Sequence, residues 1–373
     1  MGTVELPVVV GVDGSDAASD ALDWAAELAG RRGLPLRVVH ASLWERYEGY
    51  VAGTAADRPA ERLHSEAVLA TAAERAGRRV PALKVMTDLA ADDAVTALLR
   101  AGQSAEALVV GSRGRGEFAS LLLGSVGLGI AARAQCPVVV VRGRPENVHG
   151  GMNRVVVGIA ERERPSEREP APPSAAVAFA LREARLRGGE LEAVHAWRCA
   201  GPEDHGAREN HRAHEDHTAR ENHRAPQDHT ARENHRAPQD HTARENHRAH
   251  EDHTARENHR APQDHTAREN HRAPQDHRAR ENHGAREDHA QRAAELLDET
   301  LGGATAAGLP PVPVAHRPVE GSARKALLDA SAHADLLVVG ARRRQGHFGM
   351  QLGLVNHAVL HHAKCPVAVV PVS

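Results

Sequence analysis

Three glycines, Gly111, Gly114 and Gly116, fall within six residues, directly after the apolar run Leu108-Val109-Val110. An aliphatic stretch follows, and within it stands the pair Gly124-Ser125. A glycine loop brings main-chain N–H groups close to a phosphate with no Cβ in the way. Ser125 stands where a helix would begin, and a helix N-terminus attracts anions. Elsewhere Asp13 closes a β-branched run and offers one carboxylate. Phosphate binding is the chemistry these residues suggest. Each also has a plainer reading: Asp13 as a turn cap, the glycines as a chain reversal, Arg113 and Arg115 as solvated surface. His40 reads as a strand-end residue rather than a catalyst. The chain carries no P-loop Gly-Lys-Ser/Thr and no Gly-x-Gly-x-x-Gly, which argues against P-loop and dinucleotide chemistry.

The elements that must position these residues alternate in type. Pro7 to Val12 reads as a buried strand. Ser15 or Asp16 caps a helix in which Ala18, Leu22, Ala25, Ala26 and Ala29 recur at helical spacing. Leu36 to Ala41 is a second strand, and Pro59 to Arg79 a second helix. Ala82 to Met86 is a third strand, followed by a helix over Asp92 to Ala101. Leu108 to Val110, the glycine loop, a helix from Ser125 to about Ala134, and the valines 138–141 complete the unit. Such alternation implies a parallel sheet with helices on both faces, and ligands bind beyond the carboxyl ends of its strands.

The spacing Gly111, two residues, Gly114, nine residues, Gly124-Ser125, ending in Cys136-Pro137 and four valines, resembles the nucleotide-binding signature of the universal stress protein family. The resemblance implies an α/β fold: an open parallel sheet, Rossmann-like and similar to the adenine nucleotide alpha hydrolases, with strand order 3-2-1-4-5. That order makes the ends of the first and fourth strands neighbours. It further implies ATP or a related adenine nucleotide as ligand, with or without Mg, and a role in stress adaptation. Asp13 and Ala41 would then lie near the adenosine. Gly111, Arg113, Gly114, Gly124, Ser125 and Val126 would hold the ribose and phosphates. A scaffold of the same fold without nucleotide is the alternative. Hydrolysis lacks support, because no general base is placed beyond Asp13.

The second half copies the first. Leu337-Val338-Val339-Gly340 repeats Leu108-Val109-Val110-Gly111, and Cys365-Pro366-Val367 repeats Cys136-Pro137-Val138. Arg154 to Ile159 repeats the first strand and Leu191 to Ala196 the second, with His195 matching His40. The expected domains are 1–145 and 151–202 plus 288–373. The site has not been copied: Ala160 replaces Asp13, Arg343 replaces Gly114 and Leu354 replaces Ser125. The two final strands are valine-rich edges, and unprotected edges invite pairing. Pairing them with each other makes a pseudo-twofold dimer within the chain.

Residues 203–287 change character. A 12-residue unit such as Gln-Asp-His-Thr-Ala-Arg-Glu-Asn-His-Arg-Ala-Pro recurs about seven times, without Val, Leu, Ile, Phe or Trp. It cannot bury enough apolar surface to offset the entropy of ordering, so disorder or transient helix is expected. It falls in one loop, ahead of a helix over Gln291 to Leu301. Histidines six apart lie on different helix faces, so no specific metal site is assigned.

Composition bounds the rest. Net charge is -3, which argues against broad binding to nucleic acid. Aromatics are 2%, so the cores must be Val, Leu and Ala. Cys136 and Cys365 read as buried free thiols. No apolar run approaches a membrane span and no signal pattern opens the chain. A cytoplasmic protein is expected, with the adenine nucleotide as partner.

Overall fold

A computed structural model describes residues 5–43, 57–113, 123–160, 174–198, 273–306, 312–342, 345–346, 349–350 and 352–372. The chain divides into one unit, Met1–Cys199 with Gly284–Ser373, and another, Ala200–His283.

The first half runs β1 (Val8–Gly11), α1 (Asp16–Arg32), β2 (Leu36–Ala41), α2 (Asp57–Arg79), β3 (Val85–Ala90), α3 (Ala94–Gly102), β4 (Ala107–Gly111), α4 (Ser125–Arg133) and β5 (Val138–Val141). A short helix α5 (Pro145–Val148) leads to the second half. There follow β6 (Arg154–Ile159), α6 (Ala175–Leu186), β7 (Glu190–Trp197), α7 (Ala273–Ala306), β8 (Val314–Glu320), α8 (Ala323–Ser331) and β9 (Leu336–Arg342). A small hairpin, β10 (Gln345–Gly346) and β11 (Gly349–Met350), precedes α9 (Leu354–His362) and β12 (Val367–Val372).

All the long strands join one ten-stranded sheet, ordered β3-β2-β1-β4-β5-β12-β9-β6-β7-β8. Each half has the expected order 3-2-1-4-5, counted from its own first strand. Every pairing within a half is parallel, and the one between halves, β5 with β12, is antiparallel. Its register is Val138 with Val369, Val139 with Ala368 and Val140 with Val367. Val138 and Val367 are equivalent in the repeat, so the ladder is self-complementary about Val139 and Ala368. The expected pairing of the two valine edges is therefore present, and neither strand is left open.

Alternate strand residues serve opposite cores, as the pleat requires. Val8, Val10, Val139 and Val157 pack beneath α1, α2, α6 and α7, where Leu22, Leu28 and Leu297 are buried. Val9, Val138, Val156 and Val369 pack against α3, α4, α8 and α9.

Two boundaries differ from expectation. The third strand is Val85–Ala90, not Ala82 to Met86. It is a sheet edge, so its Thr87 and Asp88 tolerate water, and Arg37 of β2 pairs with Asp88. An apolar-run criterion favours Ala82, Leu83, Val85 and Met86 over Thr87 and Asp88, and so shifts the strand toward its start. The helix expected from Gln291 begins at Ala273, so the last part of the segment expected to lack structure is helical. Pro274 falls in its first turn, where proline is tolerated. The repeat from 203 to 272 lies outside the described residues.

Flanking the central ladder, α1 and α6 carry a buried ionic seam. Glu183 is fully buried and accepts from Arg32 at 2.6 and 3.1 Å. Arg32 also reaches Glu106 at 2.7 Å. The Arg32 guanidinium lies 5.0 Å from the Phe179 ring centroid, and Arg187 lies 5.4 Å from that of Trp24. These are equivalent pairs: Trp24 corresponds to Phe179 and Arg32 to Arg187. Glu183 has no counterpart, because Leu28 occupies its place. Removing one partner of a buried pair strands the other charge. Glu183→Ala is expected to destabilise the protein by about 3–5 kcal/mol, measured by denaturant unfolding. A change under about 1 kcal/mol would mean that water screens the seam.

Candidate functional site

The site is assembled where the sheet order reverses between β1 and β4. β1 pairs with β2 through Val8–Leu36 and with β4 through Val8–Ala107. Continuing those registers sets Asp13 level with Ala41 on one side and Ser112 on the other. Two further bonds prolong the ladders past the strand ends: Val12 N–H to Val39 O at 2.9 Å and Ser112 N–H to Val141 O at 3.0 Å. Gly124 N–H then donates to Ser112 O at 2.9 Å, which draws the start of α4 back over the end of β4. Asp13, Ala41, Gly111, Gly124, Ser125 and Val126 thus gather at one end of the sheet. Gly114, Gly116 and Arg115 lie outside the described residues.

Individual roles separate on closer geometry. Asp13 Oδ1 accepts from Ser15 N–H at 3.0 Å, so the turn-cap reading is present in the structure. Ser15, not Asp16, caps α1 by accepting from Ala18 N–H. His40 Nδ1 donates to Val12 O at 2.8 Å, and its copy His195 makes the same bond to Ile159 O at 2.9 Å. A bond kept in both halves marks these histidines as ties between adjacent strand ends. Gly111 has a structural reason of its own. A Cβ there would meet Ala17 O at 2.5 Å, so only glycine lets α1 approach β4.

Gly124 has no such reason. Its φ of -63° suits any residue. Among the described residues a Cβ there would come no nearer than 3.8 Å to another atom. It also caps α4 without a side-chain bond, and no acidic residue occupies the first turn. By contrast α1, α3, α6 and α8 all start with a Ser or Asp side chain bonded to a first-turn N–H. The start of α4 is thus a bare, positively polarised helix end beside exposed Ser125.

The second half has the same frame with the opening altered. α9 also starts at a glycine, Gly353, without a side-chain cap. Leu354 stands 91% exposed where the first half has Ser125. Ala160 is exposed in the place of Asp13. Asn356 donates to Gly340 O at 3.0 Å, and its counterpart in the first half is Gly127. A side-chain amide thus bonds the strand end where the first half has a glycine packed against Leu123, a fourth departure beyond the three expected. Aligning the copies past Ser125 would have found it. Arg343 lies outside the described residues.

Two residues near the site were not anticipated. Arg142, just past β5, donates to Ala363 O at 3.2 Å and to Leu360 O, capping the end of α9 in the other half. Burial and the charge of Arg113 hold its pKa below the usual value. His361 of α9 accepts from Leu123 N–H at 3.2 Å. Neither residue shows a sequence signal, because both act across the pseudo-twofold axis. Cys136 and Cys365 are buried and unpaired, and burial pushes the Cys136 thiol up to about 11. Both are inert packing groups.

The universal stress protein family model matches residues 6–142 and 153–371. The chain belongs to the universal stress protein family. Universal stress protein Rv2624c of Mycobacterium tuberculosis is 35% identical over 194 residues, covering 50% of this chain and 64% of that protein. Rv2005c of the same organism is 35% identical over 213 residues, covering 51% of this chain and 63% of that protein. The chain thus spans somewhat under two thirds of these curated relatives. A universal stress protein of Archaeoglobus fulgidus superposes with a TM-score of 0.55 at 15% identity, covering 99% of both chains, which shows the shared fold.

The two glycines give a direct test of the assignment. Gly111→Ala is expected to cost about 1–3 kcal/mol or more, because its Cβ meets main chain. Gly124→Ala is expected to cost at most about 1 kcal/mol, the ordinary N-cap penalty. Thermal unfolding of both variants checks the contrast. Equal losses would mean that Gly124 is held by packing and not kept bare for a ligand.

Proposed function

We propose that the first half binds ATP or a related adenine nucleotide, with or without Mg, and that the protein acts in stress adaptation. The observation that carries the reading is Gly124. It is a glycine that neither backbone conformation nor described packing demands, at the start of an uncapped helix beside the switch point. Phosphate at such a helix end suits the missing Cβ and the missing cap; Gly353 shares both, and what sets the first half apart is Ser125 and Asp13 in place of Leu354 and Ala160. Asp13 and Ala41 would face the adenosine, and Gly111, Arg113, Gly114, Gly124, Ser125 and Val126 the ribose and phosphates. Among the described residues no group of three or more His, Cys, Asp or Glu side chains is placed to hold a metal. The stress role rests on family membership. A hydrolytic role gains nothing from the geometry, since Asp13 Oδ1 is already engaged by Ser15 N–H.

Calorimetric titration of the full chain with ATP and with AMP tests the reading. Gly114→Arg installs the residue that the second half carries as Arg343, and is expected to abolish binding without lowering Tm. Asp13→Ala is expected to weaken binding by about 1–3 kcal/mol. Wild-type affinity in Gly114→Arg would sink the phosphate-loop assignment. A wild-type chain that takes up neither nucleotide would favour the scaffold reading instead.

A further inference from the structure

The second half has lost its own opening, yet it touches the first. Leu123 immediately precedes Gly124-Ser125, and its N–H donates to His361 Nδ1 at 3.2 Å. The sequence separation is 238 residues, and the contact crosses the axis between halves. Leu123 is buried, and His361 is only 8% exposed. Because Nδ1 accepts from an N–H, the ring must be neutral with its hydrogen on Nε2. The Nε2 atom is buried and has no hydrogen-bond partner among the described residues.

The surroundings favour that neutral form. On the same helix the His357 ring lies 4.2 Å and the His362 ring 6.2 Å from the His361 ring, centroid to centroid. From the first half, Arg142 reaches the carbonyls of Leu360 and Ala363 on either side of it, and Arg113 lies close enough to Arg142 to depress its pKa. On α8, which packs on α9, Lys325 and Asp329 pair with each other at 2.7 Å. On α4, Arg133 donates to Gly129 O. Toward β12 follow Lys364 and the Cys365 thiol, the latter kept protonated by burial. Burial, then His357, Arg142 and His362, push the His361 pKa below its usual value. A metal is a poor fit, since the Nδ1 lone pair is already taken and Nε2 carries the hydrogen.

We infer that His361 of the second half is a positioning residue for the nucleotide site of the first, holding Leu123 and through it the Gly124-Ser125 turn. This rests on the nucleotide reading above. The degenerate half thereby serves as a built-in supporting subunit. Acid reverses the contact. A protonated ring turns Nδ1 into a donor facing another donor, so the bond is lost and the turn is released. The pKa is depressed in the folded chain, so the contact is intact above about 6.5 and fails as pH falls through the lower folded value.

The test compares wild type, His361→Ala and His361→Gln in the full chain. Gln keeps an acceptor but does not titrate, and Ala is the residue at the equivalent position 132 of α4. The first readout is amide hydrogen exchange at Leu123 to Ser125, expressed as protection. Protection is expected to fall in His361→Ala, to persist in His361→Gln, and to fall with acid in wild type alone. The second readout is AMP and ATP affinity by calorimetry between pH 5 and 8. Wild type is expected to lose roughly tenfold on acidification, His361→Ala to be weakened by a similar factor at neutral pH, and His361→Gln to be flat. Unchanged protection in His361→Ala overturns the positioning role whatever the ligand. If wild type binds no nucleotide, the coupling to binding and the site reading both fall, while exchange still decides whether His361 holds the turn. If protection changes but affinity does not, the nucleotide reading survives and His361 is merely structural.

Discussion

The antiparallel contact between β5 and β12 is the constraint on which the remainder depends. A five-strand parallel sheet ends in an exposed ladder of N–H and C=O groups, here decorated with valine. Two such edges, tied into one chain at high effective concentration, bury each other. Because the copies are equivalent, the register is self-complementary about Val139 and Ala368. Everything that crosses the axis follows from that register: Arg32 on Phe179, Arg187 on Trp24, Arg142 at the end of α9, and His361 under Leu123. Shift the ladder and each of these partners is lost together.

The contact also explains why two halves that began alike no longer match. A symmetric dimer must place the same residue on both sides of its axis. A tandem chain is free of that rule. Leu28 and Glu183 occupy equivalent places, and one charge now serves both Arg32 and Arg187. Two glutamates there would add a second buried negative charge, and two leucines would take the Glu183 carboxylate from Arg187 and leave Arg32 with Glu106. The same freedom lets Ser125 stay bare in one half while Leu354 and Asn356 alter the other.

Much of this architecture was legible in the residues, for reasons that also mark the limit. The valine runs and helical alanine spacing are local patterns, so β1, β2, β4 and β5 and their helices could be read directly. Order within the sheet came from resemblance to a family, since no local pattern encodes which strands pair. β3 was misplaced because an edge strand need not be apolar. The start of α7 was missed because Ala273 to His289 carries no apolar stripe; among the described side chains its first tertiary contacts are polar or aromatic, Arg286 with Glu320 and His289 on Trp197, and its buried apolar residues are Ala293, Leu297 and Leu301. Asp13, Ala41, Gly111, Gly124, Ser125 and Val126 could be grouped because strand ends in such a sheet converge. Gly111 and Gly124 could not be told apart, although one is demanded by Ala17 and the other is not. That distinction exists only in three dimensions.

The second half supports the first whether or not it binds a ligand of its own. Its β12 closes an edge, its α6 supplies Glu183 and Phe179, and its α9 supplies His361. None of these contributions requires a ligand in the second half. What they require is a rigid copy of the same scaffold placed by the same ladder. A glycine turn that must hold its N–H groups open gains nothing from its own flexible residues. It gains from a neighbour that is already folded. Ala160, Arg343 and Leu354 stand where the first half has Asp13, Gly114 and Ser125, yet the strand ladder, the α6 face and the end of α9 are in place, and through these parts one half contacts the other.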